Sequence, residues 1–249
     1  MRITRIYSPQ PLTANATIEL GAEAARHLVT VLRLRAGDAL SLFNGEGGEY
    51  SAEILVASSK SVTVRTHEHS PVDRESPLKT SLGIGISRGE RFDWVLQKAT
   101  ELGVTEIFPL YTERTEVKLK GDREDKKQMR WRQVIASACE QCGRNRLPVL
   151  HEPRVLGKWL SVAASLKLVL HHRSDLDLQS LSRQKANDIA LLIGPEGGLS
   201  PAEIAQAQDH DFRALTLGPR VFRTETAPIV ALSLLQGLWG DFWNGSDEN

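Results

Sequence analysis

The sequence has little cysteine: the only two residues, Cys139 and Cys142, both lie in one C-x-x-C segment. A structural zinc site needs four ligands, and the chain has no second cysteine pair; His151 alone does not complete a set. Because the pair also falls within a helical pattern, we expect two reduced, buried thiols and no metal site. A redox or metal role is the alternative.

The sequence also lacks long apolar runs. No run approaches the ~20 residues needed to span a bilayer, and residues 1–10 lack the apolar core of a secretory signal. These absences predict a cytoplasmic protein without membrane contact. With 249 residues, of which 41% are hydrophobic and 25% charged, the chain suffices for one large or two modest domains.

The chain also has no net charge at neutral pH, since its 31 basic residues balance its 31 acidic ones. Global charge therefore gives no sign of a nucleic-acid partner, but Arg114–Arg146 contains ten Lys or Arg and five Asp or Glu. RNA phosphates need a positive surface patch rather than a basic protein, and Trp131 lies among the arginines. We predict an RNA-binding surface here, with a solvated helix face as the alternative.

Residues 1–70 have a strand-rich pattern, in which β-branched or alternating residues fill four short runs. The predicted strands are Ile3–Tyr7, Ala39–Phe43, Glu49–Ala57 and Ser61–His67. One predicted helix, Ala22–Leu34, interrupts them. This pattern predicts a small β-barrel, followed by a proline-containing linker at residues 71–79.

Over residues 80–243, predicted strands alternate with helical patterns. The strands are Thr80–Ile86, Glu106–Leu110, Leu166–His171 and Ile189–Ile193. The helical patterns cover Phe92–Leu102, Asp122–Cys142 and, more weakly, Leu156–Ala164. This βα alternation predicts an α/β domain with a mostly parallel sheet covered on both faces. We expect residues 244–249 to form a flexible tail.

Two glycine-bearing loops in the last third of the chain are its most informative feature. Ile193–Ser200 has the sequence IGPEGGLS, and Leu217–Ala227 has the sequence LGPRVFRTETA. Each follows a short apolar run that predicts a buried strand, Ile189–Ile193 or Ala214–Leu217. Because open α/β sheets bind ligands beyond the carboxyl ends of their strands, two such loops predict one pocket.

The residues of the IGPEGGLS segment narrow the class of ligand. A phosphate loop needs several free N–H groups, but Pro195 has none and Glu196 would repel phosphate; the chain also has no P-loop motif. Backbone groups beside a carboxylate suit a neutral or locally cationic ligand, and S-adenosylmethionine is such a ligand. Two turns that end strands, with Ser200 capping the helix that Pro201 opens, are the alternative.

Four segments, in this order and spacing, resemble the family of bacterial 16S rRNA (uracil-N3)-methyltransferases, within the SPOUT superfamily of knotted methyltransferases. The segments are Arg91–Leu110, Ala138–Arg144, Ile193–Ser200 and Leu217–Ala227. The chain departs from the family at Arg88, where Lys is common, and at Phe222, where Leu is common. The two cysteine positions often hold other small residues. None of these departures removes a group that we assign to catalysis.

The resemblance implies a SPOUT-type α/β domain with a trefoil knot, a PUA-like RNA-binding domain at the N-terminus, and a homodimer through the SPOUT domain. The apolar helix predicted over Pro228–Trp243 is then a seam between protomers, and a central core helix is the alternative. The implied partner is 16S rRNA in an assembled 30S subunit. A non-enzymatic RNA-binding module on the same scaffold is the second interpretation.

The resemblance also implies that S-adenosylmethionine is held by backbone and apolar contacts from three loops. The residues expected to contact it are His171, Ile193, Gly194, Pro195, Glu196, Gly197, Gly198, Leu217, Gly218, Val221, Phe222 and Arg223. His171 and His172 cannot both face this site, because adjacent residues of an extended segment point in opposite directions. Surface positions are the alternative for both histidines.

N3 of uracil carries a hydrogen, so its methylation requires loss of that proton and stabilisation of the anionic base. Arg220 and Arg223 are the predicted donors to that anion, and Glu225 is the predicted proton acceptor. Thr224 is expected to position the base or the loop, and a salt-bridged turn is the alternative for all four. The residues predicted to contact RNA are Arg88, Arg114, Lys118 and Arg144.

Overall fold

The structure is a computed structural model that describes residues 3–171, 174 and 178–243. Three sequence predictions fall on positions outside these ranges: His172, the tail at residues 244–249, and the first two residues of the predicted barrel. No helix in the described part of the chain is long and apolar enough to cross a membrane.

The chain forms two compact units that are not separated by one contiguous cut. The first unit contains the residues up to Glu75 together with Ala136–Leu147, and the second contains Ser76–Ile135 and the residues from Pro148 onwards. The sequence predicts a single boundary, at the linker of residues 71–79. It therefore misses the second segment of the first unit.

The first unit is built on a sheet of five strands, counted over the described residues. The strands are β1 (Thr4–Tyr7), β2 (Thr17–Leu20), β3 (Ala39–Phe43), β4 (Glu49–Ala57) and β5 (Val62–Ser70). Their order is β1-β3-β4-β5-β2, in which β1 and β3 are parallel and the other pairs antiparallel. Helix α1 (Ala22–Ala25) continues as a π-helix over Arg26–Val31, so the predicted helix is present but irregular.

Strand β2 is the element of this unit that the sequence does not predict. It has only four residues, of which Ile18 and Leu20 are buried and the other two exposed. It pairs with β5, where Val62 and Val64 are buried in the same way. Two apolar residues are too few to establish an alternating pattern, so only the pairing with β5 reveals this strand.

Arg144 lies in the interior of the first unit, which corrects its predicted role as an RNA contact. It is 4% exposed, and its guanidinium donates to both carboxylate oxygens of Glu75, with Nε 2.9 Å from Oε1. Next to it, the buried Asn145 donates through Nδ2 to the carbonyl of Val72 at 2.8 Å. A buried guanidinium needs such a partner, so this part of the basic run serves the structure of the unit.

Neither cysteine forms a disulfide; Cys139 is buried, as the sequence predicts, whereas Cys142 is only half-buried. Burial raises the pKa of the Cys139 thiol to about 12, against an opposing effect of the Arg144 charge. The thiol is therefore neutral at physiological pH, and a neutral thiol is a poor nucleophile and metal ligand. Within the described ranges, no group of three or more His, Cys, Asp or Glu could hold a metal ion.

The second unit has the α/β architecture that the sequence predicts. Its strands are β6 (Lys79–Gly85), β7 (Glu106–Tyr111), β8 (Val149–Leu150), β9 (Arg154–Val155), β10 (Leu166–Leu170), β11 (Asp188–Ile193) and β12 (Arg213–Leu215). All pairs among these strands are parallel, in the order β12-β10-β11-β6-β7-β8, and β9 also pairs with β7. The carboxyl ends of β10, β11 and β12 therefore meet at one edge of the sheet.

The helices of this part of the chain are α2 (Glu90–Glu101), α3 (Asp122–Cys142), α4 (Leu156–Trp159), α5 (Leu178–Ser182), α6 (Pro201–Asp209) and α7 (Thr226–Trp239). In α2 the apolar residues on one face, from Phe92 to Ala99, are buried. The helix ends before Gly103, whose φ of +78° favours glycine. Helix α3 has the predicted bounds. Helix α4 stops short of the predicted end at Ala164, and α7 stops short of Trp243.

Trp131 belongs to the core of the second unit, which corrects its predicted place on an RNA-binding surface. It is 1% exposed, and its ring lies 4.6 Å from the ring of Phe92 between centroids. On the same helix, Arg130 donates through Nε to Asp93 at 2.7 Å. A buried indole cannot stack on an RNA base, so the aromatic residue among the arginines gives no support to RNA binding.

Helix α7 is partly buried in the single chain. Leu232 and Leu235 are buried, while Leu234 is exposed. The buried Gln236 donates through Nε2 to the carbonyl of Leu102 at 2.9 Å, which fixes α7 against the end of α2. One face of α7 thus belongs to the core of the single chain. That α7 also forms a seam between two protomers stays a prediction.

Candidate functional site

A pocket of about 500 Å³ lies at the carboxyl ends of β10, β11 and β12. Its walls are formed by residues of the loops that follow β11 and β12, together with Leu170 and His171 at the end of β10. It brings together every residue predicted to contact the cofactor and the four predicted catalytic residues, Arg220, Arg223, Thr224 and Glu225. Of the predicted RNA contacts, Arg114 lines the pocket, whereas Arg88, Lys118 and Arg144 do not.

Seven lining residues were missing from the sequence prediction. They are Arg91, Leu170, Leu199, Ile204, Leu215, Thr216 and Ala227. Leu170 and Leu215 are the last residues of their strands, so the rule that ligands bind at the carboxyl ends of strands was a usable signal for them. Leu199, Thr216 and Ala227 lie within or next to the two predicted pocket loops, so the sequence carries a signal for them as well. Arg91 and Ile204 depend on tertiary contacts, for which the sequence carries no comparable signal.

The loop after β11, Gly194–Leu199, is called the first loop here, and it is tightly packed. It turns sharply, because the N–H of Gly198 donates to the carbonyl of Pro195 at 2.8 Å and Gly198 has a φ of +69°. Its start lies against Gly85 of β6, where an added Cβ would be 2.5 Å from Pro195 Cδ. At Gly194 an added Cβ would be 2.8 Å from the amide nitrogen of Leu199. These glycines are therefore required by close packing.

Glu196 turns its carboxylate toward the segment after β6. Its Oε1 accepts a hydrogen bond from the N–H of Arg88 at 3.0 Å and lies 3.4 Å from Nη1 of Arg91. Arg88 itself pairs through Nε with Glu116 at 2.7 Å, with both side chains well exposed. A surface pair of this kind contributes little to stability. Because the side chain is exposed, the Arg88 guanidinium stays accessible from solvent.

A capping box fixes the chain after the first loop. Ser200 Oγ accepts from the N–H of Glu203 at 3.2 Å, and Oε2 of Glu203 accepts from the N–H of Ser200 at 2.9 Å. Pro201 occupies the first turn, where its missing N–H costs nothing. The predicted cap by Ser200 is confirmed. The partner Glu203 follows from the S-x-x-E spacing, a signal that the sequence carries.

The loop after β12, Thr216–Glu225, is called the second loop here, and most of its side chains are open to solvent. Arg220 and Arg223 are exposed, and Val221 is 81% exposed. Thr224 is 9% exposed and thus the buried member of the predicted catalytic set. Glu225 is half-buried at the N-terminus of α7, which begins where the carbonyl of Arg223 accepts from two successive N–H groups at 2.9 Å.

The residues that line the pocket are of two chemical kinds. One kind is the backbone of the first loop together with apolar residues such as Leu170, Ile204 and Leu215. The other is charged residues, among them Arg220, Arg223 and Glu225 of the second loop. Such a pocket suits a ligand with an apolar or planar part together with a reacting group that becomes anionic.

Two protein-family models match the chain. The RNA methyltransferase domain matches residues 74–236, and the RNA methyltransferase PUA domain matches residues 20–66. The first match includes all residues that line the pocket. The second lies within the five-stranded sheet of the first unit.

Relatives with similar sequences are ribosomal RNA small subunit methyltransferases E. The protein of Buchnera aphidicola from Schizaphis graminum is 34% identical over 242 residues, which cover 96% of this chain and 98% of that protein. The Bacillus subtilis protein is 30% identical over 235 residues, which cover 91% of this chain and 92% of that protein. The similarity thus spans both units.

Solved structures with the same fold include two that contain a bound cofactor. A Legionella pneumophila methyltransferase in complex with SAM has a TM-score of 0.93 and 44% identity, and the match covers 97% of this chain and 100% of that one. The ribosomal RNA small subunit methyltransferase E of Neisseria gonorrhoeae, bound to S-adenosyl methionine, has a TM-score of 0.88 and 36% identity with the same coverage.

Proposed function

Because the chain belongs to the RNA methyltransferase family, whose domain model matches residues 74–236, we propose that it methylates N3 of a uridine in small-subunit ribosomal RNA. The observation that carries the proposal is the pocket in which the first and second loops meet. The class of RNA rests on the relatives, which are small-subunit rRNA methyltransferases by name. The atom N3 rests on the resemblance and on the chemistry of the second loop.

The fold agrees with the resemblance: a SPOUT-type α/β unit with a parallel sheet accompanies an N-terminal PUA-like unit. We propose that the PUA-like unit binds RNA, that two chains form a homodimer through the SPOUT domain, and that the protein acts in the cytoplasm. The trefoil knot likewise stays a prediction.

The cofactor is S-adenosylmethionine, which the similar structures from Legionella pneumophila and Neisseria gonorrhoeae hold. The pocket of this chain fits it, because glycine backbone and apolar walls can enclose an adenosyl group, and because Pro195 removes from the first loop an N–H that a phosphate site would use. We assign its binding to His171, to Ile193–Gly198, and to Leu217–Arg223. When bound, the cofactor supplies an electrophilic methyl group on a sulfonium.

The residues of the second loop supply what the uracil needs. The N3–H proton must leave before or during attack, and the Glu225 carboxylate takes it, directly or through a water molecule. The negative charge that develops on the base is stabilised by the guanidinium groups of Arg220 and Arg223. Thr224, buried beside them, positions the loop, and the N-terminus of α7 adds a favourable field for an anion. The N3–CH₃ bond forms as the sulfonium–CH₃ bond breaks.

We propose that the substrate is 16S rRNA in an assembled 30S subunit, contacted in part by Arg88 and Lys118. Both residues are exposed in the structure, as phosphate contacts must be. A base that is methylated at N3 must be unpaired or extruded from its helix, since N3 otherwise lies in the Watson–Crick pair. Contacts with the flanking backbone would hold that conformation.

Nucleoside mass spectrometry tests the proposal. The protein and S-adenosylmethionine are incubated with small subunits from cells that lack the gene, with naked rRNA and tRNA in parallel. We expect 3-methyluridine to appear in the subunits. Cofactor binding without any methylated nucleoside would contradict methyl transfer to RNA, and failure to bind the cofactor would favour an RNA-binding module without catalysis.

A further inference from the structure

We propose that Arg114 and Glu203 are positioning residues that hold the first loop in its cofactor-binding shape. The inference rests on the proposed function, since it concerns the loop assigned to S-adenosylmethionine. It also changes the role of Arg114, which the sequence predicts to contact RNA. The evidence is a chain of contacts from a turn after β7 to the backbone of Gly197.

The turn after β7, Thr112–Thr115, is closed by its own hydrogen bonds. The N–H of Thr115 donates to the carbonyl of Thr112 at 3.1 Å, and the N–H of Thr112 donates to Oγ1 of Thr115 at 2.9 Å. Their two hydroxyl groups lie 3.0 Å apart. The turn therefore presents Arg114, at its tip, in a defined direction.

Glu203 fastens this turn to the N-terminus of α6. The side chain of Glu203 is in the interior, at 6% exposed, and each carboxylate oxygen has a separate partner. Oε2 accepts from the N–H of Ser200 in the capping box, and Oε1 accepts from the N–H of Glu113 at 2.8 Å. A capping box needs only the first of these two bonds. The second joins the turn after β7 to the segment that follows the first loop.

Arg114 completes the link by contacting the first loop directly. Its Nη1 donates to the carbonyl of Gly197 at 2.8 Å. The aliphatic part of its side chain lies along the same residue, since an added Cβ on Gly197 would be 3.1 Å from Arg114 Cβ and 3.3 Å from its Cδ. The Arg114 side chain thus makes a hydrogen bond to Gly197 and occupies the space in which a side chain at position 197 would lie.

These contacts set the direction of the Gly197 peptide, which lines the pocket. In a loop with three glycines and few side chains, peptide orientation is the property that decides which backbone groups face a ligand. Losing the Arg114 bond lets this peptide rotate, and the cofactor must then restore its orientation at a cost in affinity. The expected consequence is weaker cofactor binding with little change in the chemical step.

The test measures the Kd of S-adenosylmethionine for the full-length protein without RNA, by calorimetry or equilibrium dialysis. We expect Arg114→Ala to weaken binding about tenfold, the size of effect that loss of one hydrogen bond to a charged group produces. Arg114→Lys keeps one donor and should recover most of the affinity. Lys158→Ala, at an exposed cation of α4, is the matched control and should leave the Kd unchanged.

Coupling between the two residues separates a positioning role from general destabilisation. Glu203→Gln keeps the shape of the side chain but replaces one acceptor with a donor. The double variant combines Arg114→Ala with Glu203→Gln. If Glu203 acts through Arg114, its cofactor Kd equals that of the single variant with the higher Kd. If the two residues act independently, the increases in Kd multiply. Thermal unfolding identifies any variant that does not fold, and the Arg114 series then carries the test alone.

Methylation kinetics supply a second readout. At saturating cofactor the kcat of Arg114→Ala should stay within about threefold of wild type while KM for the cofactor rises by about the same factor as the Kd. A normal cofactor Kd combined with weaker, less salt-dependent RNA binding would overturn the inference and restore Arg114 as a phosphate contact. If the wild-type chain itself binds no cofactor, the proposed function fails. If the wild-type chain binds the cofactor and Arg114→Ala binds it with the same Kd, the inference alone fails.

Discussion

The first and second loops line the same pocket, but they are held in different ways. The first loop is packed against β6 at Gly85, bonded to Arg88 through Glu196, and bonded to Arg114 at Gly197. The second loop has few such contacts: within the described residues, its side chains show one hydrogen bond, from Thr216 to the carbonyl of Gly218 at 3.3 Å.

This difference separates two tasks. A site that binds a cofactor through backbone groups needs those groups fixed in advance, and packing of glycines against neighbouring strands does this. Side chains that act on a substrate need to be reachable from solvent, and Arg220 and Arg223 are exposed. Substitutions in the first loop and its supports should therefore change stability and cofactor affinity, whereas substitutions of the charged side chains that act on the base, in the second loop, should chiefly change the rate.

The largest effect is expected at Glu225. Glu225→Gln removes the predicted proton acceptor and should lower kcat by about 1,000-fold at neutral pH, within the range for loss of a general base. The loss should narrow as the pH rises, because uracil then loses its N3 proton to solvent. The measurement is a pH profile of kcat, with Glu116→Gln as the control. An unchanged rate at every pH would remove Glu225 as the base.

A smaller loss of rate is expected for Arg223→Ala. Removing one donor to the anionic base should reduce kcat by about 100-fold, while the free energy of unfolding changes by less than about 0.5 kcal/mol because the side chain is exposed. Steady-state kinetics and urea denaturation on the same preparation check both parts. A large loss of stability would show that the second loop, too, is held by its side chains.

Gly85→Ala should show the opposite balance between stability and rate, with a large loss of stability. The added Cβ would overlap Pro195, so β6 or the first loop must shift, at a cost of about 2 kcal/mol in the free energy of unfolding. Cofactor affinity should fall with it. Gly157→Ala is the matched control, because the nearest atom there is the flexible end of Gln206 at 3.3 Å. Equal stability of the two variants in urea denaturation would contradict the close packing of the first loop.

The smallest effect is expected for Ser200→Ala. Loss of the capping bond should cost about 1 kcal/mol in the free energy of unfolding, with only a modest rise in the cofactor Kd, because Glu203 still holds the turn after β7 through Glu113. Ser161→Ala, at an exposed position, provides the comparison in urea denaturation. A collapse of cofactor binding in Ser200→Ala would mean that the cap itself orients the first loop.

The sequence predicts the elements with strong periodicity and the residues at strand ends. Helix α3 has the predicted bounds, Asp122–Cys142, because its pattern runs over many turns. The parallel sheet and the two pocket loops follow from the βα alternation and from the glycines. Strand β2 escapes the prediction because its four residues carry too short a pattern.

The sequence does not reveal which charged or aromatic residues face inward. Arg144 and Trp131 lie in a basic run that suggests a surface, but tertiary contacts with Glu75 and Phe92 bury them. The contact of Arg114 with the first loop could not be predicted for the same reason, because its partner Gly197 is 83 residues away in the chain. Pairings over such distances depend on the fold, and a single sequence carries no local signal for them.

The order of the strands has a consequence for biosynthesis. The centre of the parallel sheet, β6 with β7 and β11, needs no residue beyond Ile193. The pocket, however, also requires β12 and the residues up to Ala227, which are synthesised later. A nascent chain therefore contains the centre of the sheet before it contains all residues that line the pocket. A chain that stops before β12 lacks the second loop, so we expect it to compete neither for the cofactor nor for the RNA base.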